Sequence, residues 1–312
     1  MLNQINGLHH VTSLASSASE NNTFFSQDLG LRRIKATVNF DNPEVYHLYY
    51  GDKVGNAGSV LTYFPFPNMA RGRRGAGEVG TTAFSIPTGS MSFWRERLHA
   101  IGAGYAMPTH RFGEQRLEFY GPDGDHFALI EAEDNRTPWT TDGIPAEHAI
   151  RGFHSVDMRV KDVAPMIELM TFMGYDVSAK EGSVTRLVIA NGNAANKIDL
   201  IEVPGAESSK EGAGSVHHIA FSVATKADQR AVQSALTKVG YRVTDVRNRT
   251  YFHAIYFRTP AGILFEIATD EPGFTADEDV ASLGTGLKLP QQHEKRRERL
   301  QQTLEPLKDL KH

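Results

Sequence analysis

The stretch VHHIAFSV, Val216–Val223, alternates residue by residue: Ile219, Phe221 and Val223 form an apolar set, while His218, Ala220 and Ser222 fall on the other parity. Side chains along a strand point to opposite faces in turn, so this reads as a strand that buries one face beneath a helix and presents His218 on the other. The pattern returns in LHHVTSLA from Leu8, VGTTAFSI from Val79 and FHSVDMRV from Phe153. A helical stretch follows each copy. Ser17 with Glu20 and Thr225 with Asp228 fit capping boxes, and Pro165 lies in the first turn of the third helix. The helices stop at Gly30, Gly102, Gly174 and Gly240, at intervals of 72, 72 and 66 residues. Alternating stretches come next (VYHLYYG, QRLEFYG, TRLVIAN, HAIYFRT), with glycine-bearing turns between them. The repeat is therefore a βαβββ unit, present four times.

A unit of this size cannot bury both faces of its own sheet, so units pair side by side into curved mixed sheets with helices outside and a concave inner face. The expected fold is α+β, with four βαβββ modules forming two cups. The expected boundaries are an N-terminal domain 1–145 (modules about 6–66 and 77–134), a C-terminal domain 146–272 (modules about 150–206 and 213–272) and an extension 273–312. The extension reads as a loop followed by a charged, solvated amphipathic helix.

In a chain of 312 residues, 40% hydrophobic and 22% charged with formal net charge −4, disorder and phosphate-backbone binding are disfavoured, so no nucleic-acid partner is expected. No apolar run approaches a membrane span and MLNQINGLHH lacks the features of a signal peptide, so a cytoplasmic protein away from membranes is expected. The absence of cysteine leaves only nitrogen and oxygen ligands for a metal.

Parity supplies candidates. His218 faces the cup, and in ILFEIATD the residues Phe265 and Ile267 take the buried side, leaving Glu266 on the concave one. A buried carboxylate needs a cation or a proton. Superposing the first unit on the fourth puts His10 at the position of His218. Two histidines and one carboxylate suit Fe(II) with open positions, and Mn(II) or another divalent ion is also compatible. The other copies serve as controls: Thr81 and Ser155 stand in for His218, and Ala128 stands in for Glu266. All three ligands then come from units one and four, which must meet, while units two and three make a second, empty cup. Thr62 in GSVLTYF occupies the fourth inner position, leaving about three exchangeable metal positions.

These residues resemble the vicinal-oxygen-chelate superfamily, which includes glyoxalase I, fosfomycin-resistance proteins and extradiol dioxygenases. The chain looks most like its hydroquinone-type ring-cleaving dioxygenases. The likeness spans GLHHVTSLA, YHLYYGDKVGNAGSVLTYFPFP, GSVHHIAFSV, RNRTYFHAIYFRTPAGILFEIATD and the closing LKLP. It implies Fe(II) on His10, His218 and Glu266, an aromatic diol and O2 as substrates, and ring cleavage of the non-haem, extradiol type. It also implies catalytic roles for His9, Arg249 and Tyr256. Read as residues alone, Tyr256 is either a core tyrosine or a hydroxyl reaching the metal site. Arg249 is either a surface arginine or an anion contact, and His9 either packs under the helix or moves a proton. Self-association is left open.

Gly75, Gly77 and Gly80 form a nominal G-x-G-x-x-G that opens no helix, so no dinucleotide site follows. Arg71, Arg73 and Arg74 read as a solvated linker or lid, and His126, His154 and His253 as structural. The rival readings are a glyoxalase-like isomerase or lyase, a catechol dioxygenase, and a small-molecule-binding resistance protein.

Overall fold

The computed structural model describes residues 1–310. The first repeat gives β1 (Ile5–Ala15), α1 (Ala18–Thr23), β2 (Arg32–Val38), β3 (Tyr46–Gly51) and β4 (Val60–Pro65). The second gives β5 (Glu78–Ile86), α2 (Met91–Ala100), β6 (Thr109–Arg111), β7 (Glu114–Tyr120) and β8 (His126–Glu131). The third gives β9 (Gly152–Val160), α3 (Ala164–Phe172), β10 (Asp176–Glu181), β11 (Val184–Val188) and β12 (Lys197–Glu202). The fourth gives β13 (Val216–Val223), α4 (Lys226–Lys238), β14 (Arg247–Asn248), β15 (His253–Arg258) and β16 (Leu264–Thr269). The strands form two curved, mixed, eight-stranded sheets, ordered β14-β15-β16-β13-β1-β4-β3-β2 and β10-β11-β12-β9-β5-β8-β7-β6. Each sheet takes strands from both sides of residue 145, so the two sheets do not coincide with the sequence segments 1–145 and 146–272.

Local chemistry explains the helix ends. Thr225 Oγ1 accepts from the Asp228 amide at 3.1 Å, and the Asp228 carboxylate accepts from the Thr225 amide at 3.2 Å, closing a full capping box. At α1 only half of the expected box forms: Ser17 accepts from the Glu20 amide. The carboxylate of Glu305, from the far end of the chain, caps the next two amides instead, accepting from Ala18 and Ser19 at 2.7 and 3.0 Å. Gly240 leaves α4 at φ +97°, a left-handed conformation that a side chain would strain.

The parity reading separates two apolar groups. Ile219, Phe221, Val223, Phe265 and Ile267 pack with Val232 and Leu236 of α4 in the main core. Ala220, Ala254 and Ala268 point the other way, into a smaller cluster with Tyr49, Phe252 and Phe274. Each fully buried large side chain of the main core contributes about 1.5–3 kcal/mol, and truncating Phe221 to alanine would cost about 3–5 kcal/mol.

The extension differs from the solvated helix expected. Its α-helix α5 is short (Arg297–Thr303), and Leu300, Leu304, Leu307 and Leu310 are buried against the core. Near its start, Phe274 stacks beside Tyr251 at 5.2 Å and packs on Tyr49, so the extension also supplies part of the inner cup wall. Lys35, fully buried on β2, is neutralised by Asp277 at 2.6 Å and Glu278 at 2.5 Å. No helix among the described residues is long and apolar enough to cross a membrane.

Candidate metal centre

Strand register brings the three residues together. Across the antiparallel β1–β13 pair, His10 lies opposite Ala220 and His218 opposite Thr12, so the histidines are diagonal neighbours with ring centroids 5.6 Å apart. On the parallel strand β16, Glu266 stands level with Ala220. Its Oε2 lies 2.9 Å from His218 Nε2 and 3.4 Å from His10 Nε2. All three side chains are buried, with ligand atoms within 4.8 Å of one another, and among the described residues this is the one group of three with that geometry.

Electrostatics distinguish the set from a packed polar cluster. Glu266 is 0% exposed, and neither carboxylate oxygen has a hydrogen-bond partner of acceptable geometry. Burial pushes its pKa up, but the adjacent His10 and His218 outweigh that and hold it well below the usual carboxylate range. Burial lowers His218 to about 4, so it is a neutral imidazole near pH 7. A buried carboxylate facing two imidazole nitrogens, with no guanidinium or ammonium bonded to it, is a donor set that fits a divalent cation.

Each histidine is backed by its predecessor. His9 Nδ1 lies 2.9 Å from His10 Nδ1, and His217 Nδ1 lies 2.7 Å from His218 Nδ1. This leaves both Nε2 atoms turned toward Glu266. Burial and neighbouring His10 push His9 down to about 3. His9 does not line the cavity onto which the three candidate ligands open, which places it behind His10 rather than beside a substrate.

That cavity, of about 330 Å³, is walled by Leu14, Phe40, Phe64, Phe66 and Phe252 and edged by His47, Arg249 and Tyr256. Tyr256 is directly opposite Glu266 on β15, as its inner parity requires. Burial and the nearby Glu266 charge push its phenol well above the usual range, although Arg249 opposes them. Tyr256 therefore keeps its proton. Arg249 Nε donates to Tyr256 Oη at 3.3 Å, which leaves the phenol hydrogen free to point elsewhere.

Sequence reasoning missed His47. It is buried in the cavity wall, with Nε2 2.9 Å from Thr62 Oγ1 and Nδ1 2.8 Å from Tyr49 Oη. Thr62 in turn donates to Thr12 at 2.8 Å. The fourth inner position is thus engaged in a neutral chain. The signal was available, because His47 and Tyr49 share one parity in VYHLYYG and Tyr49 pairs with Thr62.

The remaining candidates do not line this cavity. His154 bonds to Glu114 at 3.0 Å in the second cup, and His126 packs against Arg74. The nominal glycine motif runs into β5, which contains Gly80, and Arg73 pairs with Glu207 at 2.7 Å while Arg71 donates to Pro122 O. These arginines tie the two inter-sheet connections together.

The second cup is full rather than empty. Asp199 takes the register position of Glu266, and Asp157 lies beside it. Arg186 grips Asp199 with two bonds, at 2.7 and 2.9 Å, and Arg111 and Arg116 hold Asp157 at 2.9 and 2.8 Å.

Comparison with known proteins agrees with this architecture. Residues 152–267 match the family described as Glyoxalase/Bleomycin resistance protein/Dioxygenase superfamily. The chain is 40% identical over 302 residues to MhqO of Bacillus subtilis (strain 168), provisionally named a ring-cleaving dioxygenase, covering 96% of each. It is 34% identical over 312 residues to the chlorohydroquinone/hydroquinone 1,2-dioxygenase of Sphingobium indicum, again covering 96% of each. A crystal structure of a provisionally named dioxygenase from Bacillus subtilis superimposes with TM-score 0.95 at 39% identity, covering 99% of both chains. Glyoxalase I of Zea mays shares the fold, with TM-score 0.65 at 14% identity over 85% of this chain and 92% of that one. The chain belongs to the glyoxalase/bleomycin resistance protein/dioxygenase superfamily.

Proposed function

We propose that the protein is a non-haem, Fe(II)-dependent ring-cleaving dioxygenase of the extradiol type, acting on a hydroquinone-class diol. The observation that carries this reading is Glu266, whose fully buried carboxylate faces the Nε2 atoms of His10 and His218 at 3.4 and 2.9 Å. The names of the relatives MhqO and chlorohydroquinone/hydroquinone 1,2-dioxygenase support the reaction class.

His10, His218 and Glu266 would hold the metal. Fe(II) there supplies the one-electron chemistry that lets O2 react with an electron-rich ring. The chain's own residues do the rest. The phenylalanine walls exclude water and orient a flat ring. Tyr256 holds a proton at Oη beside the triad, where it can be given to oxygen as the ring opens, and Arg249 orients that phenol and balances anionic charge. His9 is a positioning residue: its contact with His10 Nδ1 fixes which nitrogen faces the metal. A para-diol would carry its two hydroxyls at opposite ends of the ring, so the one remote from the triad would have to be oriented by the cavity wall.

The test is oxygen uptake by anaerobically iron-loaded protein offered hydroquinone, catechol, or methylglyoxal with glutathione. Uptake with hydroquinone, stoichiometric with ring-opened product, is expected. No uptake with either diphenol would overturn the reading.

A further inference from the structure

The open side of the cavity is bounded by Asn39, Phe40, Asp41 and Asn42, in the connection from β2 to β3. Within it, Asn39 Oδ1 accepts from the Asp41 and Asn42 amides at 2.9 and 3.2 Å, and the Asn39 amide donates to the Val45 carbonyl at 2.8 Å, which closes the loop at its base. Its outward side is held by the C-terminal extension. Gln292 Nε2 and His293 Nε2 both donate to the Phe40 carbonyl, at 3.3 and 3.1 Å. Arg296 and Arg299 reach the Glu44 carboxylate at 3.4 and 3.2 Å, and Thr303 Oγ1 donates to it at 3.5 Å.

On the inward side, the Phe40 ring lies 5.4 Å from the Arg249 guanidinium, and Asp41 is 3.7 Å from it. The extension therefore holds the loop at two points, Phe40 and Glu44, and from Phe40 contacts run on to Arg249 and the Tyr256 phenol. The extension is the fixed partner, docked by Leu287 on Ala36 of β2 and by Leu300 in the core. The loop is the held one. Exposed ion pairs are individually weak, so several small contacts hold it, and they can be released without unfolding the sheet.

We propose that the C-terminal extension sets the width of the cavity opening, with Phe40 as a specificity-determining residue for ring size and Glu44 as the positioning residue through which the extension acts. This rests on the reading of the cavity as the site for an aromatic ring. With Glu44 held, Phe40 stays against Arg249 and admits a flat ring with small substituents; with it released, the opening widens.

The test uses full-length, metal-loaded protein and two monophenols that are not diols, phenol and 2-phenylphenol, with affinities read by calorimetry. Hydrogen exchange of residues 39–45 is followed in parallel. Glu44→Arg is expected to speed exchange of that segment and to shift the phenol-to-2-phenylphenol affinity ratio ~3- to 10-fold toward the larger ligand, with an unchanged melting temperature. The charge swap Glu44→Arg with Arg296→Glu and Arg299→Glu should restore both. Phe40→Ala should shift the ratio in the same direction. Unchanged exchange and ratio in Glu44→Arg, or failure of the swap to restore them, overturns the proposal. Binding of neither phenol by the wild-type protein overturns the aromatic-site reading itself, and the exchange data then report on the tether alone.

Discussion

The two cups are built on one strand plan, yet one exposes a carboxylate to imidazoles and the other surrounds it with guanidinium groups. In the first, Glu266 stands level with Ala220, and the residue two places before Ala220 is His218. In the second, Asp199 stands level with Asp157, and the residue two places before Asp157 is Ser155. A buried carboxylate must be compensated, and the neighbouring residues decide how. Arg186 and Arg111 reach Asp199 directly, so that cup is a charge-balanced plug. No guanidinium or ammonium group bonds Glu266, whose near neighbours are the imidazoles of His10 and His218, a donor set that fits an added cation.

The largest expected effects come from removing the carboxylate in each cup. Glu266→Gln should reduce metal affinity and oxygen uptake by more than about 100-fold and leave the fold intact. Asp199→Ala should leave metal content unchanged but lower stability by about 1–3 kcal/mol in denaturant titrations, because Arg186 then loses both bonds to Asp199 and keeps only Glu114. Equal loss of metal in both variants would break the comparison.

Adding a carboxylate sharpens it. Thr62→Glu, at the repeat equivalent of Glu266, should keep or tighten metal binding while lowering turnover about 100-fold, since a fourth ligand occupies positions the substrates need. Two neighbours of the triad then separate proton handling from positioning. Tyr256→Phe should lower kcat ~100-fold with metal content unchanged. His9→Ala should instead weaken metal binding ~10-fold, because the imidazole of His10 loses its orienting partner.

The smallest effect concerns the contact between the sheets, where Tyr63 of the first donates to Asp125 of the second at 2.7 Å. Burial pushes the Asp125 carboxyl up to about 6 from an unfolded value of 3.8. The folded chain therefore binds the proton more tightly, and the stability this provides is full below about pH 4 and is lost as pH rises through 6. Asp125→Asn removes that loss. The melting temperature of the variant relative to wild type should rise between pH 4 and pH 8, by an amount equivalent to about 1–3 kcal/mol.

Much of this was legible before any coordinates. Alternation in VHHIAFSV and ILFEIATD assigned His218 and Glu266 to the concave face, and the glycine intervals exposed the repeats that align His10 with His218. Other features depended on long-range placement. Glu305 caps α1 from a position 287 residues after Ala18, a partner no local pattern identifies. The extension read as solvated because its charges outnumber its leucines, although the spacing of Leu300, Leu304, Leu307 and Leu310 marks a buried stripe. Asp199 was overlooked although KIDLIE alternates as clearly as the strands that were read. For His9 the residues alone left packing and proton transfer open, because its distance from His10 Nδ1, 2.9 Å, depends on side-chain placement that strand parity does not give.

The most direct measurement is anomalous diffraction at the iron edge from crystals loaded with Fe(II) under anaerobic conditions. A single peak within bonding distance of His10 Nε2, His218 Nε2 and a Glu266 oxygen, with none in the cup that holds Asp199, is the predicted result. A fully loaded crystal with no peak there, or with the ion seated among Asp157 and Asp199, would contradict it.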